Sequence, residues 1–522
     1  MNRPRPATES ALGTLALIVG VGIVLSVLSV VPSGTTQLVA GGNNPTNNGA
    51  GPASTTGPAS NGGNGAPNPA STGPASNGGN GGGGGNGGGG GNGTVPPAKP
   101  GLSCDAQHNG GATDRGVTAG QILMAATTVT DGPGASFLAP MDDAINAVKS
   151  KINRAGGICG RNLKIVLNND SWQQQLGQQY IQNFVQGSHV FGLAVNPDSE
   201  GLYAVAKSHY LDQQQVPVVG SGGQTGLEYT DPWIWPVGTA TISQMHIMAK
   251  DAYDRGARNF AIAFDAKYRF GIEGAYAYEK AVERLTGHPI PGFNGSLTAC
   301  DTGSRFCGVQ PGQSSYTGPA TQFNNACFPA TGGTHCDFIA YLMEPDLALA
   351  WLSNQPPSEP SKGYGAAQPL FDRQAFANQC QDACNVDVGF VVWTGYQPPE
   401  GAYNGQPAEA QYVSDLRSAN SSTDVDNQFV EGAYIGMNLL VHALQTVGPD
   451  LTRVRMKAVL DSMTFRSNLA KPLTWAPGHH FANDAAMGWQ LKYANGTFTG
   501  FAAVTAFERD PWLGQDNYNA GG

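Results

Sequence analysis

The sequence predicts an α/β protein of two doubly wound lobes, and three observations carry that prediction. From about residue 115, short continuously apolar runs alternate with amphipathic helical stretches, the pattern of strands buried on both faces of a parallel sheet. The alternation comes in two successive series, which implies two lobes, each with its own sheet. A chain of 522 residues is also too long for a single hydrophobic core.

In the first series the strands are ILMAATTV (Ile122–Val129), LKIVLNND (Leu163–Asp170), VFGLAVN (Val190–Asn196) and VPVVG (Val216–Gly220). Between the first two lies PMDDAINAVKSKINRAGG, with Met141, Ile145, Val148 and Ile152 on one face and Gly156-Gly157 as its stop. The second series places strands at Asn259–Asp265, Asp337–Met343 and Gly389–Gly395. Helical patterns follow at Gln428–Val447 and Leu451–Met463, and the end reads as a hairpin, GWQLKY and FTGFAAV joined by Ala494-Asn495-Gly496. The folded body is expected over 115–510, the first lobe over about 115–237 and the second over about 238–365, after which the chain crosses back.

Two segments stand before this body. Residues 1–10 carry Arg3 and Arg5, and Ala11–Val31 contains no charge. As a helix that run spans roughly 31 Å, about the hydrocarbon thickness of a bilayer. The expectation is a single-pass signal anchor in the cell membrane, basic end in the cytoplasm and the remainder exported. The alternative is a cleaved signal peptide and a secreted protein, for which Leu38-Val39-Ala40 offers a weak cleavage segment. With no Cys near its end, a lipoprotein anchor is excluded. Residues 41–100 are almost entirely Gly, Asn, Pro, Ala, Ser and Thr, and TGPASNGGNG occurs twice, at Thr56–Gly65 and Thr72–Gly81. Such a stretch has no apolar surface to offset its ordering entropy, so it reads as a disordered linker with an r.m.s. span of roughly 45 Å.

Net charge is −10 and no cluster of Lys or Arg interrupts the chain, which argues against nucleic acid as a partner. All eight cysteines, Cys104, Cys159, Cys300, Cys307, Cys327, Cys336, Cys380 and Cys384, fall in the exported portion, and an even count there reads as disulfides. The last six form three close sequence pairs, which suit local loop staples and leave Cys104 to reach Cys159. Zinc is the competing reading, with His335 beside Cys336 as its one hint and no C-x-x-C in support. His479-His480, after Pro477-Gly478, reads as a solvated turn. Asn92, Asn294, Asn420 and Asn495 head Asn-x-Ser/Thr triplets, which matter in a host that glycosylates.

The stretch VPVVGSGGQTG runs from a strand into a glycine-rich loop. Its spacing, G-x-G-x-x-x-G, is one residue off the dinucleotide fingerprint, and no Lys follows as a phosphate loop requires. The next segment, LEYTDPWIWPVG, contains Pro232 and Pro236, which oppose the helix whose amides would face a phosphate. No nucleotide and no other cofactor is expected. The loop still lies at the carboxyl end of a strand, where open α/β sheets bind ligands, and its glycines would bring backbone N–H groups to a polar ligand. With no G-x-S-x-G and no H-E-x-x-H in the chain, the reading is a binder, not an enzyme.

DGPGASFLAPMDDAINAVKSKINRAGGICGRNLKIVLNND resembles the opening of the type 1 periplasmic binding proteins, the leucine/isoleucine/valine-binding group. That family has TGP-x-A-x-x-G after its first strand, then N-x-AGGI-x-G-R and a strand ending in acidic residues. WIWPVG is similar to its crossover, AFDAKYRFGIEG to its strand followed by YG-x-G, and LTWAPGHH…GWQLKYANGTF to its last hairpin; the resemblance covers roughly Gly116 to Phe507. It implies a type I clamshell, two lobes with three crossings, closing on a small polar solute, an amino acid or a related compound. As an ABC transporter substrate-binding protein it would pass that solute to a membrane permease; the alternative is a membrane-tethered sensing receptor. It further implies ligand contacts at Phe137 after the first strand, Ser199 after the third, and Ser221, Gly222, Gly223 and Thr225 after the fourth. On the second lobe it points to Tyr268 and Phe270, and to Glu344, which would either accept an ammonium group or open the helix at Pro345. Phe270 stands where amino-acid binders usually carry Tyr, and no residue matches the acid that holds the α-ammonium.

Overall fold

A strand hidden on both faces must be apolar or internally satisfied along its length, and β1 (Gln121–Thr128) is buried throughout from Met124 onward. The computed structural model describes residues 99–297, 300–384 and 390–516. The expected anchor, Ala11–Val31, and nearly all of the expected linker lie outside them. Among the described residues no helix is long and apolar enough to cross a membrane.

After β1 come α1 (Ala135–Leu138), α2 (Met141–Arg154), β2 (Asn162–Asn169), α3 (Gln174–Gln186) and β3 (Gly192–Ala194). Then follow α4 (Ser199–Lys207), α5 (Tyr210–Gln214), β4 (Val218–Val219), α6 (Gly226–Thr230) and β5 (Ile234–Trp235). These strands form one parallel sheet in the order β2-β1-β3-β4-β5. The order reverses about β1 and β3, the switch point at which such sheets open a crevice at their carboxyl ends.

The second lobe begins with α7 (Thr241–Asp254), β6 (Phe260–Asp265), α8 (Arg269–Thr286), β7 (Phe306–Val309), α9 (Thr317–Cys327) and β8 (Phe338–Leu342). It continues through α10 (Pro345–Leu352), β9 (Tyr364–Ala366), α11 (Asn378–Cys380) and β10 (Phe390–Thr394). Strands β6 to β10 are parallel. The lobe therefore runs to Thr394 before the chain crosses, not to about 365. The strand expected at Gly389–Gly395 belongs to this lobe as β10, and β9, Tyr-Gly-Ala, was hidden because it has no apolar run.

The chain then returns to the first lobe as α12 (Pro407–Ala419), α13 (Gln428–Val447) and α14 (Arg453–Leu460). α13 packs on α2, β3 and β4. Its Gly436 lets it seat directly on the loop after β4, since a Cβ there would lie 2.4 Å from the Gly220 carbonyl oxygen. A short pair, β11 (Thr464–Phe465) and β12 (Leu473–Thr474), precedes the last hairpin, β13 (Ala485–Ala494) and β14 (Thr497–Ala503). That hairpin adds antiparallel to β10, and β15 (Glu508–Arg509) pairs with β13.

Three connections thus join the lobes, and they are stitched together. Thr239 bridges Asn483, the Thr239 hydroxyl donates to the Ala485 carbonyl at 2.7 Å, and the Asn483 amide donates to the Gly395 carbonyl at 3.1 Å. His480 belongs to this hinge: it is buried, its Nδ1 meets the Ile234 carbonyl, and its ring stacks on Trp235 at 5.2 Å. It does not sit in the solvated turn expected from the sequence; its neighbour His479 is exposed.

The folded body starts earlier than residue 115. Asn109 donates to the carbonyls of Ala119 and Cys159, at 2.9 and 3.1 Å. Arg161, fully buried, donates to the carbonyls of Thr118 at 2.9 Å, Gly111 at 3.1 Å and Pro449 at 3.2 Å. The arginine of the G-R element is thus a staple between the entering segment and the end of α13. Four disulfides join Cys104–Cys159, Cys300–Cys307, Cys327–Cys336 and Cys380–Cys384. The first spans 55 residues and fastens the same entering segment; the others close short loops.

Candidate ligand-binding cleft

Four loops at the carboxyl ends of the first sheet meet the second lobe across a cleft of about 450 Å³, part of it open to solvent. Each loop is shaped by a specific local device. After β1, α1 turns Phe137 inward, and Asn427, the cap of α13, donates to the Phe137 carbonyl at 2.8 Å. After β2, Ser171 and Trp172 both take left-handed backbone angles, φ 55° and 57°, which non-glycine residues adopt only when their surroundings enforce it. Asp170 holds that turn by accepting the Trp172 N–H at 3.0 Å.

After β3, Val195 and Asn196 repeat the device at φ 64° and 53°. The Asn196 side chain accepts the Thr127 N–H at 3.0 Å and donates to the Asp198 carbonyl at 2.9 Å. Asp198 then caps α4, accepting from Glu200 N–H at 2.9 Å and Gly201 N–H at 2.7 Å. This places Ser199 in the first turn, with its hydroxyl 3.5 Å from the Trp172 indole nitrogen.

The loop after β4 departs from expectation. It opens a helix after all: α6 fits between the loop and Pro232, and Thr225 and Glu228 form a capping box. The Glu228 carboxylate turns back and accepts the N–H groups of Gly223, Gln224 and Thr225 at 3.0, 2.9 and 3.0 Å. Glu273, from α8 of the other lobe, takes the Gly226 N–H at 2.7 Å. The amides from Gly223 to Gly226 are therefore held by two carboxylates of the chain itself.

Of the residues singled out in the sequence, Phe137, Ser199, Gly222 and Phe270 line the cleft. Ser221, Gly223 and Thr225 lie behind it, Gly223 and Thr225 bonded to Glu228. Tyr268 stacks on Trp172, ring centroids 3.7 Å apart, and is buried against it. Glu344 caps α10 from the residue before Pro345, accepting the N–H groups of Asp346 and Leu347 at 2.8 Å each. It takes the second of the two roles open to it in the sequence. Trp172, Asn196, Gln224 and Phe429 also line the cleft. Trp172 follows a strand end directly, a signal the sequence contained, whereas Phe429 arrives from far along the chain and gave none.

The floor is aromatic. Phe137 meets Trp172 edge-on at 5.7 Å and Phe429 at 5.3 Å, and Phe270 lies parallel to Trp172 at 6.1 Å. Contacts between lobes close it: the Trp172–Tyr268 stack, the Glu273 bond to Gly226, and Glu200 accepting the Arg269 N–H at 2.9 Å. Around this floor burial raises carboxyl pKa values. Asp170 is pushed up to about 9 by burial and then by the adjoining Asp198 charge. Burial lifts Glu200 to about 8, and Asp265, Glu273 and Glu344 to about 7. Asp170 and Asp198 hydrogen-bond each other, so one of the two carries the proton between them.

Residues 121–301 match the profile of a family described as periplasmic binding protein. Among solved structures, the solute binding protein of an ABC transporter from R. palustris, in complex with 4-hydroxybenzoate, aligns at a TM-score of 0.59 and 14% identity, over 76% of this chain and 99% of that one. A branched chain amino acid ABC transporter from Thermus thermophilus with bound valine aligns at 0.59 and 12% identity, over 75% of this chain and 98% of that one. A fatty acid ABC transporter substrate-binding protein from Thermomonospora curvata aligns at 0.57 and 15% identity, over 76% and 95%. No curated protein gave a significant sequence match. The fold is that of the type 1 periplasmic binding proteins, and the chain resembles the leucine/isoleucine/valine-binding-protein-like group of ABC transporter substrate-binding proteins.

Proposed function

We propose that this chain, built on the type 1 periplasmic binding protein fold, is an extracytoplasmic solute-binding protein that captures a small molecule between its lobes and presents it to an ABC-type permease. The observation that supports it most directly is the cleft itself. Strand-end loops of one lobe and the α8 entry of the other converge on one lined cleft, at the carboxyl ends of the first sheet, where open α/β folds take their ligands. Phe137, Trp172, Ser199, Gly222, Phe270 and Phe429 form the ligand surface, and the stitched crossings at Thr239, Gly395 and Asn483 form the hinge on which the lobes close. It acts as a binder and carries no reaction. Ala11–Val31 tethers it to the membrane and residues 41–100 give it reach, raising its effective concentration at the permease.

The test is photo-crosslinking in intact cells from the exposed rims of both lobes, followed by mass spectrometry. The expected partner is the integral permease of an ABC importer. Capture of a two-component receptor ectodomain would contradict the transport role.

A further inference from the structure

Apart from the α8 contacts, the lobes meet at a second place, and it is built mainly from acids. The second lobe supplies the turn after β9, Asp372-Arg373-Gln374, and the first supplies the entry to α13, Asp424 to Asn427. That entry is anchored to its own lobe: Asp143 on α2 accepts from the Asn420 amide at 3.0 Å and from the Thr423 hydroxyl at 2.6 Å. Across the lobes the Gln374 N–H donates to Asp424 at 2.8 Å, and the Gln428 N–H to the Phe371 carbonyl at 3.3 Å. Arg373 pairs with Asp426 and, at 2.5 Å, with Glu400. The Asn427 amide donates to Asp372 and to the Phe137 carbonyl, at 2.8 Å each, and its oxygen accepts the Phe429 N–H at 2.8 Å. One side chain therefore ties Asp372 of the second lobe to Phe137 and Phe429, which line the cleft.

Asp372 and Asp424 are buried and hydrogen-bond each other. Two ionised carboxylates cannot do so, and the pair holds one proton between them. Burial and then the Asp424 charge push the Asp372 carboxyl well above the usual carboxylate range. The charges facing the pair do not replace that proton. Arg373 is divided between Asp426 and Glu400, Arg417 faces Asp426, and Glu431 and the Tyr412 hydroxyl stand beyond them. When the lobes part, water reaches both carboxyls, and the proton is lost above about pH 4. We propose that Asp372 and Asp424 form a proton-shared latch, so that lobe closure takes up a proton and the clamshell opens on its solute as pH rises. The latch rests on the reading of the chain as a clamshell that closes on a solute, and not on which solute that is.

The test needs no solute. A spin-label pair on the full chain, at exposed Ser353 of the second lobe and exposed Ser418 of the first, reads the distance between lobes. The opened population is expected to grow from pH 5 to pH 8.5, its equilibrium constant rising up to about tenfold per pH unit for each proton released. Glu200 and Glu273 also accept N–H groups across the lobes and add to that slope. Asp372→Asn and Asp424→Asn, which hold no titrating proton, are each expected to lower it by about one proton. Arg373→Gln breaks ion pairs without removing a member of the carboxyl pair, and is expected to favour opening while the slope stays. An opened population that does not grow with pH, or a wild-type slope kept in both asparagine variants, would overturn the latch. The solute-binding role would stand, since it is decided separately by whether the native protein releases a solute.

Discussion

Gly223→Val is expected to destabilise the fold severely, while Gly222→Val folds normally and loses its solute. The two glycines are adjacent, yet they face opposite ways. Gly223 has φ +68°, and a Cβ built on it would lie 1.9 Å from the Tyr229 hydroxyl. That hydroxyl is buried and donates to the carbonyls of Gly223 and Gly238, each at 2.9 Å. Left-handed backbone costs an L-residue about 1–2 kcal/mol, and displacing a buried tyrosine from two hydrogen bonds adds more, for a total on the order of 4 kcal/mol or above. At Gly222 the nearest atom to an added Cβ is the Gln224 amide nitrogen, 3.5 Å away, so the new side chain projects into the cleft. Its expected signature is an unchanged urea midpoint with solute affinity lowered at least about a hundredfold. Equal loss of stability in both variants would contradict the placement of the loop.

The protein is also expected to be more stable at pH 5 than at pH 8.5, the reverse of ordinary acid sensitivity. Asp170, pushed up to about 9, Glu200 to about 8, and Asp265, Glu273 and Glu344 to about 7 hold protons in the fold that the unfolded chain has already lost. For carboxyls raised in this direction the stabilisation is full below an unfolded pKa of about 4 and is lost as pH rises through the folded values. Asp337, Asp461 and Asp516 are shifted downward, so their contributions fall away only below about pH 4. Melting temperature is therefore expected to drop by at least about 5 °C between pH 5 and pH 8.5. Asp170→Asn, whose amide still donates to Asp198 and accepts from Trp172, should flatten that slope. A melting temperature that rises over the same interval would contradict the burial of these acids.

The fold was legible in the sequence because buried parallel strands are continuous apolar words, and Ile122–Val129, Asn259–Asp265 and Asp337–Met343 stand out as such. Gln428–Val447 was legible to the residue because its helical pattern is long and ends at Gly448. The cleft was legible in part. The resemblance to the periplasmic binding proteins pointed to Phe137, Ser199 and Gly222, which do line the cleft, but chemistry inside a loop depends on which partner a backbone group meets. Thr225-Gly226-Leu227-Glu228 carried a capping-box signature, and read that way it would have warned that Glu228, not a ligand, takes the loop amides. Phe429 and Pro369, which also lines the cleft, reach it through contacts far apart in sequence, and no local pattern announces those. Tyr364–Ala366 was missed because its hydrogen bonds, not its apolarity, make it a strand.

On the proposed function, the cleft between the lobes holds a small solute. Mass spectrometry of compounds released on denaturing the natively purified, exported protein tests it most directly. One small molecule per chain is expected from the wild type and none from Trp172→Ala. Release of nothing from the wild type, together with no stabilisation by any compound of a broad metabolite panel, would contradict it.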